Sequence, residues 1–336
     1  MNSIKANAVY LDPANVHPYE FIERVGRTCY KSEDRITDNS AEKFVKMLKS
    51  NNHTAMLEHA HVILRLPNTF LKEIVTYLET EACGTNCNNT SSTIRNYLNI
   101  SILAPTCNCG FISGSFRAFM NLCESPVFAH SYEIRDVHRT LSKAYPELFK
   151  RDMPTDFEAF DIVTREEFIN DIKSHFKSPA ADNIISKHLT HTILFTCDRG
   201  VTHELVRHRP VGFAMESTRY CNYAKDKFES QINTIDPCFW ENDESTAFHT
   251  IWESACNNAE ASYLKLIELG ATPQQARSVL PHSVKADIVM TATENEWKFI
   301  LDQRLKGKTG APHPQMLEIM EIAAPALKEH SDGRLN

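Results

Sequence analysis

The hydrophobic pattern of residues 1–66 alternates between strand and helix signals. NAVYLDP is a short apolar run ended by proline, and HPYEFIERVGRTCY carries apolar residues at helical spacing. SAEKFVKMLKSNN begins with Ser40, which we expect to cap a second helix. From His59 to Leu66 apolar and polar residues alternate, which predicts a half-buried strand with His59, His61, Ile63 and Arg65 on one side.

Residues 68–187 have no regular periodicity. Helical pieces such as FLKEIVTYLE, SFRAFMNLC and TREEFINDIKSHF are separated by loops rich in asparagine and cysteine. We therefore predict a mainly helical insertion within a single domain of residues 1–336.

A clear pattern returns at residue 188. KHLTHTILFTCDRG predicts a strand, and Thr202 is expected to start the short helix that follows. A long helix is predicted from Ser245 to Glu268, with Gly270 as a left-handed cap. After it come the short helix of TPQQARSVLP, the strand of HSVKADIVMTATE, and two helices in NEWKFILDQRL and PHPQMLEIMEIAAPAL.

Composition narrows the class of protein. Of 336 residues, 42% are hydrophobic and 24% charged, as in soluble globular proteins. The sequence has no signal-peptide pattern and no apolar run near the roughly 20 residues of a membrane span, so we expect a cytoplasmic protein without membrane contact. The formal net charge of -7 argues against a nucleic-acid partner. The spacing of the ten glycines excludes a dinucleotide fingerprint and a P-loop.

Positive charge is concentrated in RHRPVGFAMESTRY, residues 207–220. Residues 199–219 contain four arginines and no lysine, and the planar guanidinium suits phosphate or a pyrimidine carbonyl edge. In an extended segment Arg207 and Arg209 share a face while His208 points the other way. The alternative is a solvated basic turn paired to Glu204 and Glu216.

Three other kinds of chemistry are left open by the residues. HTAMLEHAH contains imidazoles and a carboxylate, which suits a metallohydrolase, although its spacing differs from HExxH. Cys221 is a nucleophile if neighbouring arginines lower its pKa, and otherwise an ordinary packed thiol. Four cysteines are either the ligands of a structural zinc site or plain loop thiols, namely Cys83, Cys87, Cys107 and Cys109.

Several of these motifs together resemble the flavin-dependent thymidylate synthases. R-H-R-x7-S, filled by Arg207 to Arg209 and Ser217 and followed by TRY, is similar to that family's signature. His53 to His59 resembles its H-x-[ST]-x-x-E-H element, and Arg277, Arg304 and His313 resemble its C-terminal arginines and histidine. The resemblance covers about residues 5–66, 188–226 and 272–325, and only weakly the segment between.

The resemblance implies an α/β (α+β) fold in which helices flank a mixed sheet, and a homotetramer whose active sites form where subunits meet. It also implies methylation of dUMP to dTMP, with methylenetetrahydrofolate as one-carbon donor and FAD reduced by NADPH, and no catalytic metal. The alternatives are a C5-methylase of UMP and a flavin-poor nucleotide-binding paralogue.

The family's site residues carry over by position. The resemblance implies that Arg304 activates the uracil with support from Arg219. It also implies that Ser217 and His53 are catalytic residues. The positions implied to contact dUMP are Glu204, Arg207, Met215, Glu216, Ser217, Thr218, Arg219, Arg277 and Arg304. The positions implied to contact FAD are His53, Ala55, Glu58, Arg207, His208, Arg209, Thr293, Asn295 and His313.

This sequence also departs from the family, chiefly on the flavin side. The positions where a polar side chain of the family is missing or changed are Cys29, Ala55, Gly212, Ala214, Met215, Thr293 and Phe299. Each lost polar contact is worth about 0.5–1.5 kcal/mol of binding where water does not replace it.

Overall fold

The computed structural model describes residues 1–83, 97–103, 107–126, 131–149, 160–224, 231–240 and 246–336. The strands are β1 (Asn2–Ile4), β2 (Asn7–Tyr10), β3 (His61–Pro67), β4 (Leu98–Ile102), β5 (Cys109–Ser115), β6 (Asp161–Val163), β7 (Thr190–Asp198), β8 (Gly212–Met215), β9 (Asn233–Ile235) and β10 (Lys285–Thr293). The helices are α1 (Pro18–Thr28), α2 (Ser40–Ser50), α3 (Asn68–Cys83), α4 (Phe116–Glu124), α5 (Tyr132–Ala144), α6 (Pro146–Phe149), α7 (Arg165–His175), α8 (Ala180–His188), α9 (Arg199–Leu205), α10 (Thr246–Glu268), α11 (Pro273–Ala276), α12 (Glu294–Arg304) and α13 (Pro314–His330).

The central sheet has the strand order β2-β7-β10-β8, and all of its pairs are antiparallel. β10 pairs with β7 along its whole length, from Lys285 opposite Asp198 to Thr293 opposite Thr190. Seven of the nine residues of β10 are buried, as expected for an inner strand with both faces covered. This sheet brings the basic segment after β7 beside the C-terminal strand.

A second four-stranded sheet has the order β4-β5-β3-β6. Residues 68–187 therefore contribute three strands to the fold in addition to the predicted helices. Glycine allows the close pairing of β4 and β5, because a Cβ at Gly110 would lie 2.4 Å from the Ser101 carbonyl oxygen. A short parallel pair of β1 and β9 forms a third sheet.

Two predicted helix starts were wrong by a few residues. α2 begins at Ser40, so Asn39 is the capping position, and the Ser40 hydroxyl instead donates to Glu23 Oε2 at 2.7 Å. α9 begins at Arg199 because the Asp198 carboxylate accepts from the Val201 amide at 2.6 Å, which leaves Thr202 inside the helix. Gly270 has φ +92°, which confirms the predicted left-handed cap.

The two sheets have separate cores. One lies between β3 to β5 and the surrounding helices, around Phe44, Leu64 and Phe119. The other lies between the central sheet and helices α12 and α13, around Phe195 and Trp297. Across the described ranges, no helix combines the length and the apolar character that crossing a bilayer requires.

Candidate active site

The arginine at the end of α12 contacts two residues of the basic segment. Arg304 Nη1 donates to Glu204 Oε2 at 2.8 Å, and Arg304 Nε donates to His208 Nε2 at 3.2 Å. Burial and the Arg304 charge lower the pKa of His208 to about 4, so the imidazole is neutral at pH 7 and can accept this bond. The fold thus unites three predicted site residues from two distant segments.

A second polar group forms at the turn that follows β8. Arg277 Nη1 donates to Thr218 Oγ1 at 3.4 Å, and the Arg219 amide donates to Ser217 Oγ at 3.3 Å. The Ser217 amide donates to the carbonyl of Cys29 at 3.0 Å, which ties the turn to the end of α1. The guanidinium groups of Arg219 and Arg277 are exposed. Arg219 and Arg277 therefore present exposed donors beside the buried Thr218.

The arrangement of the basic turn agrees with the predicted alternation. Arg207 and Arg209 are exposed and His208 is buried between them. The alternative was right that the turn is solvated but wrong about its acidic partners: Glu204 pairs with Arg304, and Glu216 pairs with Lys285. In the part of the chain that the structure describes, neither Arg207 nor Arg209 forms an ion pair.

Glu216 lies in a buried charge cluster that the sequence did not predict. Lys285 Nζ is 2.8 Å from both Glu216 Oε2 and Asp287 Oδ2, and the hydroxyl of Tyr223 donates to Glu216 Oε1 at 2.9 Å. Lys31 also pairs with Asp287. The Glu216 carboxylate therefore faces the interior and not a nucleotide, so only its main chain can serve in the predicted dUMP contact.

A cavity of about 1000 Å³ lies between the central sheet and the second sheet. Four of the predicted flavin residues line it, namely Glu58, Arg209, Thr293 and Asn295. Glu58 pairs with Arg117 of α4, and burial raises the pKa of the Glu58 carboxyl despite that charge. The second sheet contributes residues 98–100 and 102 to the wall, so the segment of residues 68–187 forms part of this cavity.

Other predicted flavin residues lie outside the larger cavity. His53 lines a smaller cavity of about 560 Å³ beside Tyr30 and Tyr220. Ala55 is exposed, and the exposed His313 ring packs edge-on against Phe239 with ring centroids 5.7 Å apart. Within one chain, the predicted flavin residues therefore do not form a single site.

Two departures from the family pattern have structural reasons. A Cβ at Gly212 would lie 3.1 Å from Glu58 Cβ, so the missing side chain lets β8 approach the turn of residues 54–58. Thr293 Oγ1 accepts from the Glu296 amide at 3.3 Å, so this hydroxyl caps α12 in the cavity wall.

The family model described as thymidylate synthase complementing protein matches residues 155–331, just over half of the chain. The chain belongs to this family. Flavin-dependent thymidylate synthases of Pyrococcus horikoshii and Pyrococcus furiosus are 30% and 27% identical to it over 176 and 175 residues. Each alignment covers 51% of this chain and 66% of the relative, which is slightly less than two thirds of that relative's length. The synthase of Mycobacteroides abscessus is 26% identical over 164 residues, which cover 44% of this chain and 60% of the relative.

The match to the thymidylate synthase complementing family contains both arginine groups described above. His53 and Glu58 lie before the matched region, although Glu58 lines the same cavity as Arg209. The larger cavity fits a flavin dinucleotide in size, because its volume falls in the range of cofactor sites. It also fits in chemistry, because its wall combines apolar side chains with a few polar groups. Glu58, Arg209 and Asn295 are the residues that would hold the cofactor there.

Of the histidines that suggested a metal site, His59 is buried, His61 is half-buried in the wall of the larger cavity, and His53 is exposed. The His59 Nδ1 atom is 2.8 Å from Thr291 Oγ1, and burial lowers the pKa values of His59 to about 3 and of His61 to about 4. Across the described residues, no three histidine, cysteine or acidic side chains form a group that could hold a metal ion.

The cysteines considered for zinc do not converge where they are described. Cys107 and Cys109 have sulfur atoms 2.6 Å apart, and Asn68 Nδ2 donates to the Cys107 carbonyl at 2.7 Å. Asn68 begins α3 and Cys83 ends it, so the backbone of Cys83 lies about 20 Å from this pair along the helix. Cys87 lies outside the described residues.

Cys221 is a packed thiol. It is fully buried in a cluster with Tyr223, Ile232 and Tyr263. Because no substrate reaches a thiol in this position, the geometry favours the ordinary packed role over that of a nucleophile.

Proposed function

We propose that this protein is a flavin-dependent thymidylate synthase, which methylates dUMP to dTMP with methylenetetrahydrofolate as one-carbon donor and FAD and NADPH as the reducing system. The observation that carries the proposal is the contact of Arg304 with Glu204 and His208. An arginine from the C-terminal part of the chain thereby joins the signature segment, as the proposed pyrimidine site requires. Family membership and the names of the relatives support the same activity.

Arg304 is the proposed electrophilic group of the pyrimidine site. Glu204 holds Nη1 and His208 accepts from Nε, so Nη2 keeps its donors for a ligand. A cationic donor on a uracil carbonyl stabilises the negative charge that develops on the ring when C5 reacts. Because this side chain is fixed by two partners, little reorganisation is needed during the reaction.

The turn at 217–219 is the proposed site for the rest of dUMP. The Ser217 hydroxyl, the Arg219 guanidinium and the Arg277 guanidinium provide neutral and charged donors. Arginine pairs in bidentate fashion with a phosphate group, and both guanidinium groups are exposed to receive one. We assign Arg277 to the phosphate and Arg219 to support of the pyrimidine.

The flavin side of the proposal uses the larger cavity. Arg207 and Arg209 are exposed cations, and Glu58 and Asn295 provide further polar atoms. When bound, the flavin would be reduced by NADPH and would supply the hydride for the pyrimidine. The buried Cys221 has no part in this route, since no thiolate attack on the ring is required.

We also propose a homotetramer in the cytoplasm. Neither His53 nor His313 lines the main cavity, which supports an assembly in which several copies complete each site. The cytoplasmic location is an expectation from the composition of a soluble globular protein.

Release of tritium from C5-labelled dUMP tests the proposal. The complete mixture contains FAD, NADPH and methylenetetrahydrofolate, and each is omitted in turn. We expect release with the complete mixture and formation of dTMP that requires the one-carbon donor and the reductant. A parallel reaction with UMP tests the substrate preference.

The matched variants are Arg304→Ala and Lys298→Ala, which change two cationic residues of the same helix. Lys298 is exposed and lies outside the proposed site. Failure of the wild-type protein to form dTMP from dUMP would overturn the proposal.

A further inference from the structure

The cavity wall contains an open strand edge. β4 is an outer strand of the second sheet and, among the described strands, pairs only with β5. The Ser101 carbonyl faces β5, since it lies 2.4 Å from the position of a Cβ on Gly110. Alternate residues of an antiparallel strand direct their main-chain groups to opposite edges, so those of Ile100 face away from β5. Ile100 also lines the cavity.

One lysine lies at this edge. Lys187, in the last turn of α8, lines the cavity and donates from Nζ to the Ile100 carbonyl at 2.5 Å. An ammonium group has three donors, so this contact leaves two of them for a ligand. The hydrogen bond to Ile100 fixes where the charge lies.

Lys187 also lacks an opposite charge. It is half-buried, burial lowers the pKa of its ammonium, and within the described ranges no carboxylate pairs with it. By contrast, the acid Glu58 in the same cavity pairs with Arg117. A half-buried cation without a counterion, facing a large cavity, favours an anionic ligand.

We propose that Lys187 binds the diphosphate of the flavin dinucleotide, an inference that rests on the proposed function. A compact ammonium suits phosphate oxygens as a point charge, whereas the apolar side chains of Leu98, Ile100 and Val211 suit the flat rings. Lys187 belongs neither to the signature segment nor to the C-terminal arginines. It compensates for the polar contact missing at Gly212, which lines the same cavity.

Equilibrium dialysis of the full-length protein against FAD, and separately against riboflavin, tests the assignment. Lys187→Gln keeps a donor for Ile100 and removes the charge, Lys187→Arg keeps the charge, and Lys173→Met is a control at an exposed lysine of α7. We expect Lys187→Gln to weaken FAD binding about 10- to 100-fold, because a charge-assisted bond to phosphate is lost. Riboflavin binding should be unchanged, and Lys187→Arg and Lys173→Met should resemble the wild type.

Two results would overturn the inference alone: unchanged FAD affinity of Lys187→Gln, or an equal loss for FAD and riboflavin. Binding of dUMP by each variant, measured by calorimetry, verifies that the fold is intact. A wild-type protein that binds no FAD would instead overturn the proposed function, and this inference with it.

Discussion

Replacement of Glu294 by glutamine tests a charge network centred on a buried carboxylate. Glu294 is fully buried at the start of α12. Its carboxylate accepts from Arg334 Nε at 2.8 Å, Arg334 Nη2 at 2.9 Å and Ser186 Oγ at 2.9 Å, and pairs with His191 Nε2 at 3.0 Å. The network joins the C-terminal residues to β7 and to the first turn of α12, beside Thr293 and Asn295 of the cavity.

The free energy of unfolding that Glu294→Gln removes follows from two independent magnitudes. Removal of one partner from a buried ion pair costs about 3–5 kcal/mol, because Arg334 keeps a charge that is only 7% exposed. The donors around Glu294 lower its pKa from 4.5 to about 2, and a shift of that size corresponds to about 3 kcal/mol of stability at pH 7. We therefore expect Glu294→Gln to lower the free energy of unfolding by about 3 kcal/mol.

The pH dependence has a definite sign. Because the pKa of Glu294 is lower in the folded state, its contribution is complete above about pH 4.5 and disappears as the pH falls through 2. At pH 3 we expect the difference between wild type and variant to shrink to about 1 kcal/mol.

Isothermal urea unfolding at pH 7 and pH 3 measures both values. Glu296→Gln is the matched control two residues away, since burial alone raises the pKa of Glu296 and loss of its charge should not destabilise. A difference of the same size at both pH values would refute the assignment of the stabilisation to the ionised carboxylate.

Three further variants have expected outcomes. Arg304→Ala should lower kcat/KM for dUMP methylation about 100-fold or more with little change in the melting temperature, and near-normal turnover would contradict its role. Cys221→Ser should keep its turnover because the thiol is buried; complete loss in a folded variant would favour covalent catalysis. Gly110→Ala should destabilise the protein by about 1–3 kcal/mol in thermal unfolding, since the new Cβ would meet the Ser101 carbonyl; an unchanged melting temperature would contradict this.

The regular elements of the fold were largely predictable, but part of the second sheet was not. β7 and β10 are long runs of apolar and β-branched residues, and the sequence predicts both. β6 has only three residues, and β5 contains Gly110 and Gly114. Glycine weakens a strand signal, and the reason for it here is the close approach of β4, which only the paired structure reveals.

The residues of the candidate site were predictable where they belong to a recognisable sequence motif. The signature identified His208, the resemblance to the family implied Glu204, and the C-terminal pattern identified Arg304, which the structure brings into contact with both. Lys187 and Lys285 were missed because their significance depends on contacts with distant segments. A charged residue at the first position of the apolar strand β10 was the available signal for Lys285.

The pairing of β2 with β7 has a consequence for how the chain can be divided. β2 covers one edge of β7, yet it lies about 180 residues before that strand and outside the matched region 155–331. A fragment of residues 155–331 would expose the main-chain groups along that edge of β7, which is a template for aggregation. The matched segment therefore lacks one edge strand of its own central sheet, and shortened forms should retain β2.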